Sequence, residues 1–230
     1  MWPILGRAVK KIGGFLVGGT ALAIHLRHRT SFDLDYLAAE PFSGDHLARS
    51  LTRETGDVEV IDSGSGILHA RVLGIAVQVF CPPPRGANPG VENTLQKPLE
   101  IDGMRVASLP DLLATKLDVI MYRPKLRDYI DLKAIDETGP YSLEDGLLFH
   151  MRRYGTTSAS KDLERIINLL DNPGELDPDR VFGYQSSDTL AYLKARTPAL
   201  RRRLYQMRVQ FPSASRPKPF DPPMKFGPTE

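Results

Sequence analysis

One cysteine, Cys81, is all the chain has in 230 residues, so no intrachain disulfide framework can hold it together. Its five histidines are scattered, which leaves no plausible zinc cluster. No run approaches eighteen apolar residues, which argues against membrane insertion, and the start MWPILGRAVKKIGG lacks the basic, apolar, small-residue order of a signal peptide. These features predict a cytoplasmic protein. A formal net charge of +2 is too small to argue nucleic-acid binding by itself, so any such role must come from how the charge is distributed. There is no internal repeat at a fixed period. What remains is an ordinary soluble composition, 41% hydrophobic and 25% charged, with enough apolar material for a sizeable core.

The character of the chain changes near residue 105. Before it, β-branched segments dominate: FLV (15–17), SFDLDYL (31–37), DVEVID, ILHARVL and IAVQVF read as strands, with a helix in GDHLARSLTRE. After it the pattern is helical. Ser108 caps LPDLLATKLDVIMY with Asp111 at the third position, KLRDYIDLKAID continues in the same mode, and Ser142 opens another helix. Two more follow in SKDLERIINLLD and SDTLAYLKARTPALRRRLYQMRVQ, where Pro198 should kink or divide the element. The expected division is a core over 1–105, a helical region over 106–210, and a segment over 211–230 whose six prolines predict disorder or a wrap around a partner.

The chemistry concentrates in FLVGGTALAIHLRHRTSFDLDYLAAEPF, residues 15–42. Strand periodicity puts Ser31, Asp33 and Asp35 on one face and Phe32, Leu34 and Tyr36 on the other. Two carboxylates on one face repel each other unless a cation or a set of donors lies between them. Oxygen ligands at this spacing suit Mg²⁺, which keeps waters and substrate phosphates as its other ligands. Upstream, Gly18 and Gly19 let backbone amides approach a ligand, and Thr20 adds a hydroxyl at the start of ALAIHLRH, where a helix N-terminus favours an anion. Each feature alone has a plainer reading, since Gly-Gly turns end many strands and paired aspartates are often solvated strand ends.

Strand, GG(S/T) turn, helix and DxD strand together resemble the DNA polymerase β-like nucleotidyltransferases. Within them, GGTALAIHLRHRTSFDLDYL is similar to the opening of the AbiEii/AbiGii toxin family, and DLLATKLDVIMYRPKLRDYIDLKAI to its later motif of a helix lysine followed by an RD-x-x-D helix. The resemblance implies an α/β (α+β) fold, a mixed-sheet nucleotidyltransferase core followed by helices. It implies that Gly18, Gly19, Thr20 and Ser31 line the phosphate site, that Asp33 and Asp35 hold Mg²⁺, and that Lys116 with Arg127 binds the triphosphate. Asp128 and Asp131 fall on the RD-x-x-D positions, with Asp131 among the catalytic residues. The implied activity is transfer of a nucleoside monophosphate from an NTP to an acceptor hydroxyl, the tRNA 3′ end above others, by a toxin with a cognate antitoxin, in a toxin–antitoxin or phage-defence setting. A small-molecule or protein acceptor, or a non-catalytic nucleotide sensor, are the alternatives.

Several residues keep two readings. Lys116 lies at the edge of a stripe of Leu112, Leu113, Leu117 and Ile120, where lysines commonly snorkel, and its loss as a phosphate ligand would leave stability almost unchanged. Arg127 and Asp131 also form an ordinary i,i+4 helix pair. Many enzymes of the superfamily carry a third carboxylate on a later strand, and here GIAVQVF offers Gln78, with Glu59 as a substitute. The His25, Arg27, His28, Arg29 cluster is either a steering patch or the polar end of a helix. Arg201, Arg202 and Arg203 near Tyr205 and Arg208 are either a solvated face or an RNA contact. A phosphoryl group on Ser31 would add negative charge beside both aspartates and compete for the cation, so Ser31→Asp is expected to depress activity.

Overall fold

A computed structural model describes residues 2–81, 94–123, 125–176 and 186–210. The chain begins with α1 (Trp2–Lys10), whose Leu5, Ala8 and Val9 recur at helical spacing and are all buried. It then enters β1 (Phe15–Val17), three apolar residues with no exposed side chain, which sit near the middle of a seven-stranded sheet. Next come α2 (Gly18–Leu26), β2 (Leu34–Leu37), α3 (Gly44–Thr55), β3 (Val58–Gly64), β4 (Ile67–Val72), β5 (Ile75–Phe80), β6 (Leu99–Ile101) and β7 (Met104–Val106). The strand order is β3-β4-β5-β2-β1-β7-β6. The sheet is mixed: β2 pairs antiparallel with β1 but parallel with β5, and β1 pairs parallel with β7.

Turn chemistry explains the hairpins. Leu73 and Gly74 between β4 and β5, and Asp102 and Gly103 between β6 and β7, all have positive φ, as a two-residue turn matched to strand twist requires. Sequence periodicity missed α1, β6 and β7, which are short and carry few β-branched residues. It also overextended β2, which begins at Leu34. Phe32 therefore escapes the strand alternation and is 75% exposed, while Leu34 and Tyr36 are buried as expected.

The helical part comprises α4 (Leu109–Val119), α5 (Leu126–Thr138), α6 (Leu143–Tyr154), α7 (Lys161–Asp171) and α8 (Ser186–Gln210). Ser108 caps α4 and Ser142 caps α6 through side-chain hydrogen bonds. Pro198 does not divide α8. The carbonyl it would strand, that of Lys194 four residues back, accepts a 2.9 Å bond from the Thr197 hydroxyl instead. One apolar core runs from Leu5 and Phe15 through Leu113 and Leu117 to Leu200 and Met207, and β7 straddles the residue-105 boundary as a member of the sheet. The segment 211–230 lies outside the described residues.

Candidate active site

The site forms where β1 runs straight into α2. Gly18, at φ 71°, makes that turn in the left-handed region, and a Cβ there would lie 2.5 Å from the Asp35 carboxylate. A Cβ on Gly19 would lie 2.5 Å from the Arg29 guanidinium and 3.0 Å from the Ser31 hydroxyl. Both glycines thus leave room for polar groups packed against the backbone at the start of a helix. Thr20 donates its hydroxyl to the Asp33 carbonyl at 2.5 Å, which fixes the entry to β2. Its role in this geometry is to hold the strand.

Asp35 sits on β2 opposite Val17 and beside Gln78 of β5, half-buried, while Asp33 just ahead of the strand keeps its side chain 50% exposed. Burial raises the Asp35 carboxyl above its ordinary range, and the neighbouring Asp33 charge raises it further. Lys116, Arg123 and Arg127 pull it back down. Those three cations come from α4, the segment after it and the first turn of α5, so the paired acids face a basic wall. Arg127 Nη1 stands 3.7 Å from Asp33 Oδ2, reaching across to the acidic pair.

Behind that wall lies a buried charge network that ties the halves of the chain together. Asp131, fully buried, accepts from Arg29 Nε at 2.6 Å and Nη2 at 2.9 Å, pairs with His28 Nε2 at 2.7 Å, and meets Lys116 Nζ at 2.6 Å. Burial alone would raise its carboxyl, but Lys116, His28 and Arg29 outweigh it and hold Asp131 far below the usual carboxylate range. Asp128, equally buried, takes Lys116 Nζ at 2.5 Å and lies 3.6 Å from Arg123 Nε. Arg27 positions the basic side of this network: it closes α2 in a left-handed conformation, and His28 and Arg29 follow directly from that turn.

Lys116 is therefore not a snorkelling surface lysine. It is buried to 5% exposure because two α5 carboxylates receive its ammonium, and the expectation that Lys116→Ala spares stability gives way to one of clear destabilisation. Asp131 is enclosed by Arg29, His28 and Lys116. Arg123 was missed in the sequence. The only signal was a lone arginine between Tyr122 and Pro124, and its place near the acids depends on how α4 and α5 meet.

Asp33 and Asp35 suit a hard divalent cation: both offer oxygen, and the raised Asp35 carboxyl marks an electrostatic deficit that such an ion would relieve. Among the described residues no group of three or more His, Cys, Asp or Glu could hold a metal, so water and phosphate oxygens would have to complete the shell. Gln78, in register with Asp35, supplies no third carboxylate.

The family model described as nucleotidyl transferase AbiEii toxin, type IV toxin–antitoxin system, matches residues 79–219. No curated protein matches the chain. Among solved structures, a protein from H. pylori provisionally described as a nucleotidyltransferase superposes with a TM-score of 0.51 at 17% identity, covering 88% of this chain and 92% of that one, a likeness of fold. No described helix is long and apolar enough to cross a membrane.

Proposed function

The chain belongs to the AbiEii nucleotidyltransferase toxin family, and from that premise we propose that it moves a nucleoside monophosphate from an NTP to an RNA hydroxyl, the tRNA 3′ end, with Mg²⁺ held by Asp33 and Asp35. The observation that carries this reading is the acidic pair set against Lys116, Arg123 and Arg127 beside a glycine turn that opens a helix. A bound divalent cation would neutralise phosphate charge and lower the barrier to nucleophilic attack. The chain's own residues do the rest. Gly18 and Gly19 bring backbone amides of the α2 N-terminus to the phosphates, Ser31 adds a hydroxyl beside them, and Arg127 and Arg123 neutralise the β- and γ-phosphates as pyrophosphate leaves. Asp128 and Asp131 keep Lys116 and Arg29 aimed from behind. A toxin of this kind blocks translation by capping tRNA and is restrained by a cognate antitoxin, in the setting of phage defence.

Arg123→Ala and Arg127→Ala are each expected to weaken NTP binding about 10- to 100-fold, since each removes a charge-assisted contact worth roughly 1.5–3 kcal/mol. Calorimetric titration with each NTP checks it, and unchanged affinity would return both arginines to the protein surface.

RNA would approach along α8. Arg208 joins Glu164 of α7 at 2.7 Å, and the adjacent Arg165 grips the Met121 carbonyl at 2.8 Å, so the basic end of α8 is tied to the segment that carries Arg123. Arg201 is engaged with Asn168 and Asp171, whereas Arg202 and Tyr205 lie on the exposed side of α8. Arg201→Glu with Arg202→Glu should weaken tRNA binding by roughly 10-fold or more and flatten its salt dependence, leaving NTP binding intact. Equal affinity at low salt would assign them to the solvated face. The direct test of acceptor class is incubation with each α-³²P-labelled NTP and either total RNA or a protein and small-molecule extract. Label in a tRNA band supports the proposal, and label only in the extract contradicts it.

A further inference from the structure

Register carries a polar row outward from the acidic pair. Asp35 on β2 pairs with Gln78 on β5, Gln78 with His69 on β4, and His69 with Asp62 on β3. Residues opposite one another in adjacent strands share a face. These four side chains therefore lie on the side of the sheet from which Leu68, Ala70, Val77 and Val79 turn away into the core. Gln78 and Asp62 are exposed and His69 is half-buried. With strands about 4.8 Å apart, the His69 backbone stands roughly 10 Å from that of Asp35, enough for a phosphoryl group and an attacking hydroxyl to lie between their side chains.

Joining a hydroxyl oxygen to phosphorus releases one proton, and the groups closest to the reaction are poorly placed to take it. Asp33 and Asp35 are needed as anions beside the cation, Asp128 and Asp131 are buried and occupied by cations, and the Gln78 amide can orient a hydroxyl but cannot be protonated by it. The next side chain along the row is an imidazole, which can.

We propose that His69 is the general base of the transfer and that Gln78 orients the acceptor hydroxyl between His69 and the acidic pair, an inference that rests on the nucleotidyltransferase reading above. As the acceptor oxygen forms its bond to the α-phosphorus, its proton passes to a ring nitrogen of His69. The bond from the α-phosphorus to the bridging oxygen breaks, and pyrophosphate leaves with the electron pair. The charged groups on this face around His69 are Asp62 and Glu59 of β3, Arg71 of β4 and, beyond Gln78, Asp35. The two β3 acids lie on the side where the imidazolium forms.

The test uses the full chain with Mg²⁺, each α-³²P-labelled NTP and total tRNA, comparing wild type with His69→Gln, His69→Ala and Asp35→Asn. His69→Gln is expected to lower turnover about 10²- to 10³-fold, to leave NTP affinity by calorimetry within twofold of wild type, and to remove the acid limb of the pH–rate profile. Added imidazole should restore part of the activity of His69→Ala. His69→Gln turning over within threefold of wild type with its acid limb intact would overturn the inference, and so would a loss of NTP binding or folding in both His69 variants, which would make the residue structural. Activity retained by Asp35→Asn would instead overturn the role of the acidic pair, and a wild type inactive with every NTP would overturn the tRNA acceptor, the two parts of the reading on which it rests.

Discussion

Asp35→Asn is expected to cut nucleotide transfer by about 10³-fold or more while leaving the protein as stable as wild type or more so. The activity loss follows from removing one of two anionic oxygens that would hold the cation, at a place where Gln78 provides no replacement. The stability gain follows from the sign of the Asp35 shift. Burial and Asp33 raise its folded-state pKa above that of the unfolded chain, so the ionised carboxylate opposes folding. This penalty is absent below the unfolded value of about 4 and is present in full once the pH has passed the folded value. Thermal melts should therefore show the variant gaining on wild type at pH 7, with the gain fading as the pH falls towards 4. A variant that melts well below wild type at pH 7 would mean that Asp35 holds the fold together instead of holding a cation.

The opposite behaviour is expected of Asp131→Asn, although it too should be inactive. Removing this charge leaves Lys116, Arg29 and His28 around a neutral amide in a fully buried place, and breaking a buried ionic cluster from one side costs about 3–5 kcal/mol. In a chain of this size that lowers Tm by roughly 6–20 °C. The sign with pH is also reversed. The cations hold the folded pKa of Asp131 below its unfolded value, so its contribution is fully present above about pH 4 and is lost as the pH falls further towards the folded value. Wild type should lose stability through that acid range, and Asp131→Asn should lack this part of the loss. Melts at pH 7 and pH 3 decide it, and a Tm within 2 °C of wild type at pH 7 would refute the network's role.

The two predictions separate groups that look alike in the sequence. DLD and RD-x-x-D both read as paired acids, and both fall on positions a family resemblance assigns to the site. A separation of two residues suffices to bring Asp33 and Asp35 towards one place, although only Asp35 lies within β2. Nothing local says that His28 and Arg29 will meet Asp131 about a hundred residues away, or that Lys116 will be buried. Those contacts exist because α2, which packs on β1 and β2, also packs against α4 and α5, a consequence of tertiary geometry that a stripe of leucines does not encode. The sheet itself was legible where strands were long and alternating, in β3, β4 and β5. It was illegible in β6 and β7, three residues each, where pairing partners and a Gly103 turn define the strand more than composition does. Pro198 misled for a related reason, since the Thr197 hydroxyl repairs what proline removes.

If the acidic pair and its basic wall add nucleotides to tRNA, the tRNA must gain mass. The most direct measurement is intact-mass analysis of total tRNA after incubation with the full chain, Mg²⁺ and each NTP in turn. With at least one NTP, tRNA is expected to gain the mass of one or more nucleoside monophosphates at its 3′ end, and Asp35→Asn is expected to give no gain. tRNA of unchanged mass with all four NTPs would contradict it.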